Sequence, residues 1–286
     1  MATRGVGQLW SEVTALATRP GVLSLGQGAP EIGAHRVAAA GAISALESGV
    51  CDQYSPVGGV PELREAIAAY ECRIFGGTSP DALSEVAVAT SATEALLAAF
   101  FALTDPGDEV LLSEPLFPWY PPQIRLAGAT PVPVRMEMPQ DDGGRFRFDI
   151  DAIAAAITPR TRVLVHNSPH NPTGAVATPA ETERLARLCV AHDLICISDE
   201  VYHRHTFGGR RHVRIADEPG MASRTLTLNS AGKLLSCTGW RVGWMSGPAP
   251  LVEATNHYRG FASYCAPVPL QASPPNTCPH ASALPG

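Results

Sequence analysis

Lys233 is the only lysine in a chain of 286 residues that carries twenty arginines. An arginine stays protonated at any accessible pH, whereas a lysine sheds its proton in a desolvated or cationic setting and then attacks carbonyl carbon. The lone amine is thus a candidate nucleophile. A composition rich in Ala, Gly, Pro and Arg would also thin out lysine, so its surroundings must decide. Four further runs hold chemical groups near turns or at the ends of apolar stretches. Ile197-Ser198 leads into Asp199-Glu200-Val201-Tyr202, and a carboxylate ending a buried strand is costly unless it meets a cation. Asn167-Ser168-Pro169-His170-Asn171-Pro172-Thr173-Gly174 is an irregular loop fixed by its prolines and glycine, with two asparagines in it. Ser91-Ala92-Thr93 opens a helix whose free N–H groups attract phosphate. Glu114-Pro115-Leu116-Phe117-Pro118-Trp119-Tyr120 offers aromatic rings, for which core packing is the competing account.

Alternating signals predict the elements that must hold these groups. Strands are expected at Val86 to Ala89, Val110 to Leu112, Val163 to Val165, Leu194 to Ile197 and Thr225 to Leu228. Helices are expected from Pro61, over Ala92 to Leu103, Asp151 to Ile157 and Pro179 to His192, and over Leu251 to Phe261. Such alternation predicts an α/β fold with a largely parallel sheet and ligands at the carboxyl ends of its strands. The first fifty residues read as a loop-rich arm, and Ala272 to Gly286 as a low-complexity tail with no packed element.

The run Asn229-Ser230-Ala231-Gly232-Lys233, followed by Thr238-Gly239-Trp240-Arg241-Val242-Gly243-Trp244, resembles the cofactor-lysine signature of the class I/II, fold type I aminotransferases. The resemblance is closest to the kynurenine and glutamine transaminase branch and covers roughly residues 20 to 270. The spacings agree with that family: 28 residues from Asn171 to Asp199, 34 from Asp199 to Lys233 and 8 from Lys233 to Arg241. It implies a three-layer α/β large domain that binds pyridoxal 5′-phosphate (PLP), spanning residues 51–250 after an arm and substrate loop over 1–50. It also implies that Lys233 forms an aldimine with PLP and then serves as the proton-transferring base. Asp199 would face the pyridine nitrogen, Tyr202 and Asn171 the cofactor's O3′, and Phe117 the ring. The phosphate would be held by Ser91, Ala92, Thr93, Ser230 and Arg241, joined by Tyr54 from the neighbouring subunit of a homodimer. Gly28 and Asn167 would lie on the substrate side. Glu200 is expected to be solvated or structural.

The implied activity is amino transfer from an amino acid to a 2-oxo acid. Cysteine-S-conjugate β-elimination shares the same first step, and a non-catalytic PLP-binding or dimerising protein is the reading from another class. In the family, a further C-terminal domain supplies an arginine for the substrate carboxylate. This chain has 53 residues after Lys233 (286 − 233), so residues 251–271 are expected to begin the connection to a small domain that is largely missing.

Composition narrows the partners. A net charge of −6 with scattered arginines gives no basic stripe for nucleic acid or anionic membrane. The longest apolar run, Ala95 to Leu103, is too short to span a bilayer, and a cytoplasmic location follows by default. Seven cysteines without a Cys-x-x-Cys pair read as reduced thiols, and the spacing of His203, His205 and His212 matches no metal motif.

Overall fold

The computed structural model describes residues 3–271, apart from 27, 29–31, 78, 142 and 143. The expected tail over 272–286 lies outside the described residues. Seven strands form one sheet: β1 (Val86–Ala89), β2 (Glu109–Glu114), β3 (Thr130–Arg135), β4 (Thr161–Asn167), β5 (Ile195–Asp199), β6 (Thr225–Ser230) and β7 (Gly243–Ser246), in the order β1-β7-β6-β5-β4-β2-β3. Only β7 runs antiparallel to its neighbours. Parallel strands covered on both faces read as unbroken apolar runs, and β1 is buried at all four positions.

Among the described residues ten helices accompany the sheet: α1 (Thr3–Ala17), α2 (Arg36–Ser48), α3 (Pro61–Phe75), α4 (Ala92–Leu103), α5 (Tyr120–Leu126), α6 (Ile150–Ala155), α7 (Pro179–Ala191), α8 (Ala231–Leu234), α9 (Ala249–Ser263) and α10 (Val268–Gln271). On one face, Leu96 and Phe100 of α4, Ile124 of α5 and Val252 of α9 form a core with Leu226 and Met245. On the other, Ile153 of α6 and Leu185 of α7 pack with Leu111, Leu164 and Cys196. The result is the expected three-layer α/β sandwich. Helix starts follow local chemistry. Thr178 and Glu181 form a reciprocal capping box at α7, with Pro179 in the first turn, and Ser91 caps α4 through the N–H of Glu94.

Two parts of the fold differ from expectation. The first fifty residues contain α1 and α2 as well as the extended stretch between them. Neither helix has an acid in its first turn or a base in its last, and His35 caps α2 without a side-chain bond, so their usual boundary signals are missing. Strands β3 and β7 were also not expected. β3 carries Pro131 and Pro133, tolerable because it is an edge strand, and β7 is only four residues long.

Since β1, β2, β4, β5 and β6 run the same way, their carboxyl ends gather at one edge of the sheet. That edge presents Ser91, Glu114, Asn167, Asp199 and Ser230 to the same region.

Candidate active site

A cavity of about 890 Å³ opens over this edge. It is lined by Gly28, Ser91, Ala92, Thr93, Phe117, Asn167, Asn171, Asp199, Tyr202, Ser230, Lys233 and Arg241, so the fold brings together every residue singled out from the sequence except Tyr54. Tyr54 is 81% exposed and sets its ring edge against Tyr264 at 5.2 Å.

Lys233 sits on the single turn of α8, directly after β6. Its Nζ donates to the carbonyl of Gly28 at 2.5 Å and lies 5.6 Å from the centre of the Tyr202 ring. Burial, helped by the nearby charge of Arg241, lowers its pKa below the ordinary lysine value. Both effects favour the neutral amine that a nucleophile or base requires.

Asp199 ends β5 and is 5% exposed. Its Oδ2 accepts the Tyr120 hydroxyl at 2.6 Å, and Oδ1 accepts only a long 3.4 Å contact from the N–H of Val201. Burial pushes its pKa up to about 6, against the opposing effect of the Tyr120 bond. No cationic side chain among the described residues pairs with it. A carboxylate buried without a counter-charge is held at a cost that a cationic ligand would remove.

Asn167 and Asn171 divide the work of one loop. Asn167 accepts the N–H of Asn171 at 2.8 Å and donates to the Asp199 carbonyl at 2.9 Å, so it joins the ends of β4 and β5. Asn171 and Tyr202 line the same cavity, and burial with the Asp199 charge raises the phenol's pKa. His170 supports this loop from behind. Its Nδ1 meets Thr173 Oγ1 at 2.8 Å, and burial lowers its pKa to about 4.

The opposite end of the cavity is built for an anion. The backbone N–H groups of Ala92 and Thr93 fall in the first turn of α4, where a helix offers them no internal acceptor. Ser91 reaches this turn with φ of 89°, a conformation natural to glycine. Arg241 takes up the left-handed region at φ 56° and anchors one nitrogen on the Thr238 carbonyl at 3.0 Å. Gly243 begins β7 so close to α4 that a Cβ there would lie 2.5 Å from the Ala92 nitrogen.

Sequence reasoning missed Tyr120, which among the described residues is the only side chain that hydrogen-bonds the Asp199 carboxylate. It lies in a run that had been noted for Phe117, whose ring it meets edge-on at 5.4 Å. Pro121 and Pro122 marked a helix start there, the one available signal that Tyr120 sits in a first turn facing the strand ends. The solvated alternative for Glu200 is overturned. Glu200 is fully buried, and His212, Arg214 and Ser198 bring its pKa down to about 2 despite burial.

The family profile of aminotransferase class I and II matches residues 20–273. The chain belongs to this family. It is 44% identical over 263 residues to the probable N-succinyldiaminopimelate aminotransferase of Mycobacterium tuberculosis, covering 92% of this chain and 65% of that protein. It is 37% identical over 271 residues to kynurenine–oxoglutarate transaminase 1 of Mus musculus, covering 92% and 64%. Among solved structures, the N-succinyldiaminopimelate aminotransferase of M. tuberculosis superposes with a TM-score of 0.88 at 43% identity, over 93% of this chain and 68% of that one. A methionine aminotransferase of Escherichia coli superposes with a TM-score of 0.86 at 33% identity, over 92% and 68%. The chain thus spans just under two thirds of the length of the curated relatives it matches.

Homologous fold type I aminotransferases use PLP, and the cavity fits that group. It offers a buried carboxylate lacking a cation for the pyridine nitrogen, an amine for the aldehyde carbon, and a helix start with an arginine for the phosphate. No described helix is long and apolar enough to cross a membrane.

Proposed function

We propose that this chain carries the catalytic centre of a PLP-dependent aminotransferase that moves an amino group from an amino acid to a 2-oxo acid. The observation that carries the reading is Asp199, a buried carboxylate with a raised pKa and no cation, across the cavity from a lysine with a lowered pKa. Structural ion-pair networks also shift pKa values, but they do so by pairing charges, which Asp199 does not.

Bound PLP supplies an aldehyde to hold the substrate nitrogen and a cationic ring to accept electrons from the substrate Cα. The chain does the rest. Asp199, whose carboxylate Tyr120 fixes, would keep a proton on the ring nitrogen. Tyr202 and Asn171, both lining the cavity, would present a hydroxyl and an amide to the ring oxygen. Ser230, Arg241 and the first turn of α4 anchor the phosphate, so that the reacting atom stays beside Lys233. Lys233 Nζ would take the proton from the substrate Cα and return it to the former aldehyde carbon on the other side of the shared nitrogen, a task that needs the neutral amine its surroundings favour. The proton shift would move the double bond onto Cα, and water would then hydrolyse that carbon–nitrogen bond, supplying the oxygen of the 2-oxo acid and leaving the amino group with the cofactor.

Two further parts of the reading concern the protein as a whole. The exposed Tyr54 is proposed to reach the phosphate of a second copy in a homodimer. A cytoplasmic location is proposed from the free thiols of Cys51, Cys72, Cys189, Cys196, Cys237 and Cys265.

Half-reactions test the chemistry. An amino acid added to the PLP-loaded protein is expected to convert the cofactor to its amine form, and a 2-oxo acid is expected to restore it. Release of pyruvate and a thiol from a cysteine S-conjugate, with no amine form of the cofactor, would contradict amino transfer.

A further inference from the structure

Between Asp199 and Tyr202 stands a residue to which the chemistry above gives no part. Side chains alternate along a strand, so Asp199 faces the cavity while Glu200 points to the opposite side. There it is fully buried and fully bonded. Ser198 Oγ donates to Oε1 at 2.8 Å, His212 Nε2 donates to Oε2 at 2.9 Å, and Arg214 Nε lies 3.7 Å from the same oxygen.

The arrangement closes a loop. Residues 201–214 leave β5, carry Tyr202 and His205 to the cavity wall, and return beneath it. The departing end is tied to the Glu200 backbone, whose carbonyl accepts both the N–H of His203 at 2.9 Å and its Nδ1 at 3.0 Å. With Nδ1 donating, the Nε2 of His203 accepts the Tyr70 hydroxyl at 2.7 Å, which fastens the same turn to α3. The returning end is tied to the Glu200 side chain through His212 and Arg214. Arg214 extends the tie to Glu71 of α3 at 3.4 Å and lies over the Phe75 ring at 4.6 Å. Glu71 in turn accepts from Trp244 Nε1 at 2.9 Å and Ser246 Oγ at 2.9 Å, both on β7.

We propose that Glu200 is a positioning residue of this active site: its backbone carbonyl holds the departing end of loop 201–214 and its buried carboxylate the returning end, and the two together fix Tyr202 on the cavity wall it shares with Asn171. This rests on the PLP reading for its consequence but not for its geometry. The carboxylate also acts on its neighbour by charge. Glu200 raises the proton affinity of Asp199, alongside the larger effect of burial. The groups that face Glu200 in return are His212, Arg214 and Asp217 from the returning segment, His203 from the loop, Glu71 from α3 and His166 from β4. Among them Arg214 supplies the guanidinium, 3.7 Å from Glu200 Oε2.

The test compares the full chain with its Glu200→Gln variant, whose side chain keeps the shape and loses the charge. In the cofactor-free protein, amide hydrogen exchange in residues 201–214 is expected to quicken at least tenfold while exchange in β4 stays unchanged. In the PLP-loaded protein, the dissociation constant for PLP is expected to rise at least fivefold at neutral pH. Removing the Glu200 charge lowers the Asp199 pKa, so the pH below which PLP is released should fall. The same substitution on a Tyr202→Phe background should have little further effect on the neutral-pH dissociation constant, because Glu200 acts there through Tyr202. Unchanged loop exchange, or effects of the two substitutions that simply multiply, would overturn the proposal. If Glu200→Gln does not fold, His212→Asn cuts the returning tie alone and is read by the same exchange and the same double substitution. Failure of both to fold would make Glu200 a determinant of the fold only, and also overturns it. Failure of the wild-type chain to bind PLP would count against the proposed function and leave the exchange result to decide on Glu200.

Discussion

Asp199 and Lys233 are each held away from their ordinary protonation, in directions that suit one ligand. The sign for Asp199 is instructive. A carboxyl whose folded pKa is raised from 3.8 to about 6 leaves the folded state more protonated than the unfolded one between those values. Stability is therefore highest at low pH in this respect, falls as pH rises from about 4 to 6, and stays reduced above. The loss is on the order of 2–3 kcal/mol. Asp199→Asn is accordingly expected to stabilise the cofactor-free protein at pH 7, with the difference shrinking toward pH 4, while weakening PLP binding at least tenfold. Thermal melts of the apoprotein across this range, with and without PLP, check both halves. A variant less stable than the wild type in its cofactor-free form at pH 7 would show that the carboxylate is not a stored cost. For Lys233 the lowered pKa predicts acylation of the ε-amine with a pH midpoint below the ordinary 10.5, read by mass spectrometry. Arg241 contributes by its charge, so Arg241→Gln should move that midpoint upward.

The elements place these groups through close backbone contacts, which local sequence reveals unevenly. Helix α4 was read to its true limits, because Ser91 caps it and its apolar residues leave no ambiguity. What the sequence did not show is that β7 lies against its first turn. Gly243 has no room for a side chain there, and Gly243→Ala would push Cβ to 2.5 Å from the Ala92 nitrogen and 2.7 Å from the Ser91 carbonyl carbon. We expect this substitution to destabilise the protein by roughly 1–3 kcal/mol and to weaken PLP binding, since it displaces the phosphate-facing turn. Ser91→Gly should do the reverse for stability. It relieves a backbone strain of order 1 kcal/mol at φ 89° while removing one hydroxyl cap, so the melting temperature is expected to hold or rise. A fall of several degrees would mean that the Ser91 hydroxyl outweighs the strain. Strand β3 was hidden by its prolines and β7 by its brevity. Tyr120 was overlooked for a different reason, since its bond to Asp199 spans 79 residues and belongs to no local pattern.

At the scale of the molecule, the motifs on separate strands converge because the sheet is parallel wherever it matters for the site. That convergence explains why the site was so legible from sequence, and why Tyr54, which does not line this cavity, is the exception. Its role depends on a second copy. Sedimentation is expected to give a species of twice 30.1 kDa, and Tyr54→Phe is expected to weaken PLP binding without changing that mass. A monomer that binds PLP at full affinity would contradict the shared-site part of the account. The central claim is narrower: the one lysine of the chain is the residue to which PLP attaches. The direct measurement is borohydride reduction of the PLP-loaded protein followed by peptide mapping. A single ε-amino modification at Lys233, absent in Lys233→Ala, is the predicted result. Absence of reducible cofactor on Lys233 in the wild-type protein would contradict it.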